Sequence, residues 1–77
     1  MKHARADYQR RIVDMDGIIP AGEPVFLIRA QDRVGAQAVR QWAALHEAHG
    51  GNPILSSLAR LQADLMDAWP VKKKADL

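Results

Sequence analysis

Gly50-Gly51-Asn52-Pro53 separates two stretches whose apolar residues recur at helical spacing. Glycine enters the left-handed conformation of a helix end without strain, so Gly50-Gly51 stops one helix. Asparagine then caps a new helix and proline suits its first position, so Asn52-Pro53 starts another. Upstream, Val34, Ala38, Trp42 and Leu45 fall at intervals of four, four and three residues, which places them on one helical face. Asp32 is a good N-cap for that helix, since its carboxylate accepts orphan N–H groups at the positive end of the dipole. The helix is predicted to run to about His49. Downstream, Ile54, Leu58, Leu61, Leu65 and Trp69 form the apolar face of the second helix, which Pro70 stops. Two helices joined so tightly make a helical hairpin, and these two faces are expected to be its core.

The first half reads differently. Tyr8 to Asp14 contains Tyr8, Ile12 and Val13, residue types that favour strand, and Asp16-Gly17 is a turn signal behind it. Pro20, Gly22 and Pro24 make Ile18 to Pro24 an ordered loop. Val25 to Arg29 opens with an unbroken apolar run, Val25-Phe26-Leu27-Ile28, bounded by Pro24 and Asp32. It is the clearest strand, and its lack of polar alternation predicts burial on both faces. The expected fold is α+β: a β-hairpin followed by an antiparallel helical hairpin packed on its face. Residues 1–71 are expected to form one compact domain with residues 1–7 frayed, and residues 72–77 a basic flexible tail.

Seventy-seven residues leave room for one domain. A chain this short buries only about 60% of the surface its unfolded state exposes. Small cores commonly need a staple, and without cysteine neither a disulfide nor a thiolate metal site is available. Self-association is the expected remedy, so the chain is predicted to be a homodimer. The hydrophobic share of 48% argues against wholesale disorder. The charged start from Met1 to Asp7 does not resemble a secretory signal, and the longest apolar run is far short of a membrane span. Both point to the cytoplasm. Net charge is only +2, with basic residues gathered near the two ends.

The stretch from Ile19 to Asp32, with Pro20, Gly22, Glu23, Pro24 and the Val25–Ile28 run, precedes a helix carrying Trp42. It resembles small bacteriophage and prophage proteins, over residues 12 to 70. The resemblance implies a phage or prophage origin and carries no catalytic motif. Small phage proteins of this kind are often inhibitors or adaptors of a host protein, anti-CRISPR proteins among them.

No catalytic, cofactor or metal set emerges from the sequence. His46 and His49 stand three residues apart, side by side on a helix, and a zinc site would need a third ligand such as Asp64 or Asp67. A histidine near a helix C-terminus more often serves the dipole. Asp14, Asp16 and Glu23 lie in or near an Asp-Gly turn, where acidic residues are ordinary turn chemistry. Neither a nucleophile triad nor a glycine-rich phosphate loop is present. The candidate partner-binding residues are therefore Arg29, Arg33, Arg40, Trp69, Lys72, Lys73 and Lys74. Arg29 is placed either to pair with Asp32 or to meet a partner. Arg33 and Arg40 lie on the polar side of the first helix, suited to phosphates or to solvent. Trp69 ends its stripe beside Pro70, half exposed and available to another chain. The lysine triplet either grips nucleic acid or solubilises the end.

The expectation is a non-enzymatic interaction protein that binds, and inhibits or adapts, a host protein. The alternative is an accessory nucleic-acid-binding protein that uses the terminal basic residues.

Overall fold

The computed structural model describes residues 1–75. The order is β1 (Lys2–His3), α1 (Ala6–Arg11), β2 (Pro24–Val25), α2 (Gly35–Ala48) and α3 (Pro53–Ala68). The architecture is α+β and mostly helical.

The turn chemistry at the helical hairpin forms as the sequence predicts. Gly50 takes a φ of 80° just past the end of α2. The Asn52 side chain accepts the Ile54 N–H at 2.9 Å, and Pro53 opens α3. Asp32 does not cap α2. Its carboxylate accepts the Val34 N–H at 3.0 Å, but its carbonyl is taken by the Gly35 N–H and its backbone bridges to Lys73. The chain is thereby held in a turn until Gly35, where the helix begins. Gly35 is required there: a Cβ would lie 2.8 Å from the Arg29 carbonyl oxygen and 3.2 Å from Met66 Cε.

α2 and α3 meet through small residues, contrary to the predicted core. Ala43 and Ala63 are 0% exposed, and Ser56, Ala36 and Met66 are buried with them. Ala36 and Ala43 are seven residues apart on α2, as are Ser56 and Ala63 on α3, so each pair shares one side of its helix. Small side chains there allow the two helices to approach closely. The stripe predicted as core turns outward: Val34, Trp42, Leu45, Ile54, Leu58, Leu61, Leu65 and Trp69 are exposed. Two ion-pair sets fasten the helical hairpin from the side. Arg40 Nη2 reaches Asp64 at 2.8 Å and Asp67 at 2.7 Å. Arg60 grips Glu47 at the other end.

The N-terminal half also departs from the expected hairpin. Where a strand is predicted over Tyr8–Asp14, residues 6–11 form a helix. Ala6, Gln9, Arg10 and Arg11 are good helix formers, and Asp7 pairs with Arg11 one turn on at 3.5 Å. Ile12 and Val13 lie beyond its end. Residues 1–7, expected frayed, supply β1 and the start of α1. The sheet is parallel, not antiparallel: Lys2 pairs with Pro24 and His3 with Val25. The predicted buried strand keeps only Val25 of its residues. Phe26 is 76% exposed, and Leu27 is exposed beside it, because among the described residues no second layer covers this segment. Ile28 and Ala30 turn back onto the cluster of Ala36, Ala63 and Met66, and so tie the N-terminal half to the helices. The helices thus do not pack on the face of a hairpin.

Candidate interaction surfaces

Two surfaces stand out, a cleft in the N-terminal half and the outer stripe of the helical hairpin. The cleft, about 330 Å³, lies between α1, the segment after β2 and the chain near Lys73. Its apolar lining comes from Ala4, Tyr8, Phe26 and Leu27, with Arg5, Arg29 and Asp32 around it. Tyr8 is fixed from two sides: His3 meets its ring edge-on at 6.1 Å, and Arg5 lies over it at 5.0 Å. Arg5 is itself held by Asp7, its Nε 3.1 Å from Oδ1. Desolvation raises the Asp7 carboxyl, but the Arg5 hydrogen bond and the charges of Arg5 and Arg11 outweigh it, leaving the group below its ordinary value.

Arg29 is the exception among these cations. It is exposed, and its guanidinium makes no hydrogen bond or ion pair among the described residues. The local pair with Asp32 weighed from the sequence is not made, because the Asp32 carboxylate faces the Val34 N–H. Arg29 therefore stands at the cleft with an open guanidinium, in a lining that also includes the exposed Phe26.

The other predicted residues divide. Arg40 is committed to Asp64 and Asp67, whose hydrogen bonds raise its pKa further, and so it does not face solvent as an open cation. Arg33 is exposed. Trp69 is 54% exposed, as its place at the end of the stripe suggests. Lys72 folds back as a cap: its Nζ donates to the Ala30 carbonyl at 2.8 Å and the Met66 carbonyl at 2.6 Å. The backbone of Lys73 bonds to both Gln31 and Arg33, extending the ordered chain past residue 71. Lys74 is exposed, and Asp76 and Leu77 of the predicted tail lie outside the described residues.

The two histidines have different surroundings. The His46 ring stacks on Trp42 at 4.8 Å and packs so closely on Gly51 that a side chain there would collide with it. His49 is the exposed C-cap of α2. Among the described residues, no group of three potential metal ligands comes together. Asp14 does turn chemistry, its carboxylate accepting the Ile19 N–H at 2.7 Å.

Sequence reasoning missed the cleft because it assigns Tyr8 to a strand and Phe26 to a core. The signal that reveals it is the Asp7–Arg11 spacing, which marks a short helix and carries Arg5 and Tyr8 to one place. Among the described residues no helix is long and apolar enough to cross a membrane. Comparison with family models, curated proteins and solved structures finds no match.

Proposed function

We propose that the chain is a non-enzymatic interaction protein that binds another protein through the Arg29 cleft. The open guanidinium of Arg29 in a cleft that the exposed Phe26 also lines carries this reading. Arginine and aromatic residues are both enriched at protein interfaces. The apolar lining fits leucine or phenylalanine side chains, and Arg29 fits a carboxylate in bidentate geometry. The occupant is therefore an extended segment that alternates acidic and apolar residues. A host protein bound in this way would be inhibited or redirected by occlusion, in keeping with the phage-protein resemblance.

The nucleic-acid alternative has less support. Arg40 is neutralised by two aspartates, and Lys72 is turned inward onto backbone carbonyls. That withdraws two of the candidate cations from the kind of clustered stripe that phosphate binding uses.

Fluorescence anisotropy separates the two. The probes are a labelled peptide alternating glutamate with leucine, the same peptide with lysine for glutamate, and a short DNA duplex in a salt series. The glutamate peptide is expected to bind, and Arg29→Glu to abolish its binding while favouring the lysine peptide. Equal binding by Arg29→Glu and the wild type would overturn the proposal. Tight duplex binding that weakens steeply with salt would establish the alternative.

A further inference from the structure

The outer stripe of α3 is a separate surface that shares no residue with the Arg29 cleft. Ile54, Leu58, Leu61 and Leu65 succeed one another at four, three and four residues. That is the seam spacing by which one helix packs along another. At about 3.6 residues per turn, the seam lies roughly half a turn round α3 from the buried Ser56 and Ala63. So α3 has two apolar sides, a small one spent on α2 and a large one facing away from it. The seam's flanks are mostly uncharged: Leu55, Ser57, Gln62 and Trp69 border it, and the one acid, Asp64, is held by Arg40.

The size of the uncovered surface indicates what is missing. A folded monomer of this mass exposes about 4,700 Å². This chain exposes 6090 Å². The surplus is of the order that one partner contributes to a stable interface, about 800 Å² or more. The Cα radius of gyration is 13.8 Å, and the molecule is a slab of 31 × 30 × 18 Å. A compact chain of this length has a radius of gyration of about 11.5 Å. Domains are normally built of two packed layers around a core, and among the described residues no second layer covers Ile54, Leu58, Leu61 and Leu65.

We infer that a second copy of this chain covers the seam, the two α3 helices packing antiparallel about a two-fold axis. The seam is self-complementary in that orientation: Ile54 meets Leu65 of the other copy, and Leu58 meets Leu61. The same register brings Trp69, at one end of the seam, to the small Gly50-Gly51 turn of the other copy. Antiparallel packing also places the two Lys72–Lys74 triplets at opposite ends and opposes the helix dipoles. Parallel packing would set six lysines side by side.

Sedimentation equilibrium over a concentration series tests this, with Trp69 emission read in a Trp42→Phe background. The mass is expected to rise from one chain of 8.6 kDa toward two, and the emission to move to shorter wavelength over the same range. Leu61→Arg is expected to weaken association by more than about tenfold while keeping the helical circular dichroism. For orientation, Ile54→Cys and Leu65→Cys are oxidised singly and as a mixture. Rapid cross-linking only in the mixture supports the antiparallel seam. A mass of one chain up to millimolar concentration, wild-type association by Leu61→Arg, or cross-linking of Ile54→Cys with itself as fast as in the mixture would each overturn it. Peptide binding at Arg29, measured in the monomeric Leu61→Arg variant, reports on the proposed function independently.

Discussion

Arg60 holds Glu47 with both terminal nitrogens, Nη1 2.6 Å from Oε1 and Nη2 3.2 Å from Oε2, and so joins the end of α2 to the first half of α3. The Arg60 hydrogen bond depresses the Glu47 carboxyl below its ordinary value, with the charges of Arg60 and His46 acting the same way against a smaller effect of burial. A carboxyl that is more acidic when folded adds stability above its unfolded pKa. That contribution is lost as pH falls through the folded value. The melting temperature is expected to drop between neutral pH and pH below the ordinary glutamate value of 4.5. Glu47→Gln should lower it at neutral pH and flatten its decline. An unchanged pH profile in that variant would show that the pair is not formed in solution.

Leu58 and Met66 are both apolar residues of α3, and their substitutions should separate. Met66 is buried in the hairpin, so Met66→Ala should cost about 2–5 kcal/mol. Leu58 is 57% exposed, so Leu58→Ala should change the stability of the monomer by no more than about 0.5 kcal/mol. The sequence alone predicts the large loss for Leu58. Chemical denaturation at sub-micromolar concentration gives both values, and a large loss for Leu58→Ala there would return the leucine stripe to the core.

Lys72 is a structural cation. Its ammonium satisfies the Ala30 and Met66 carbonyls, one from the segment before α2 and one from the last turn of α3. Hydrogen bonds from a charged group contribute about 1.5–3 kcal/mol, so Lys72→Met should destabilise by an amount in that range. Lys74→Met, at an exposed position, should not. Equal effects from the two would place Lys72 in solvent with its neighbour.

The features legible in the sequence are those fixed by local chemistry. Gly50 reaches a positive φ that other residues resist, Asn52 caps and Pro53 has its φ fixed, so α2 ends and α3 begins where these residues require. The facing of the helices is not legible, because α3 carries two apolar sides. A reading that weights side chains by size turns Leu58 and Leu61 inward. The seven-residue spacing of Ala36 with Ala43, and of Ser56 with Ala63, is a weaker signal, since small residues bury little surface. The β-branched and aromatic run from Val25 likewise fits a buried strand, yet strand identity depends on a neighbour to pair with. Among the described residues that neighbour is the two-residue β1, so the strand ends at Val25 and Phe26 is left bare in the cleft. Arg29 stands out in the sequence as a candidate, but the cleft around it depends on α1, which only the fold could place.

The leucine stripe of α3 lies outside the monomer, where a second chain is proposed to cover it. Because the protein has no cysteine of its own, single thiols report on this without background. Reaction rates of Leu58→Cys and Ala63→Cys with a small thiol reagent should differ at high dilution, the first fast and the second slow. As concentration rises, the thiol at position 58 should become protected while that at 63 stays slow throughout. A position-58 thiol that is slow at every dilution would contradict the outward stripe, and one equally fast at every concentration would contradict its cover by a second chain.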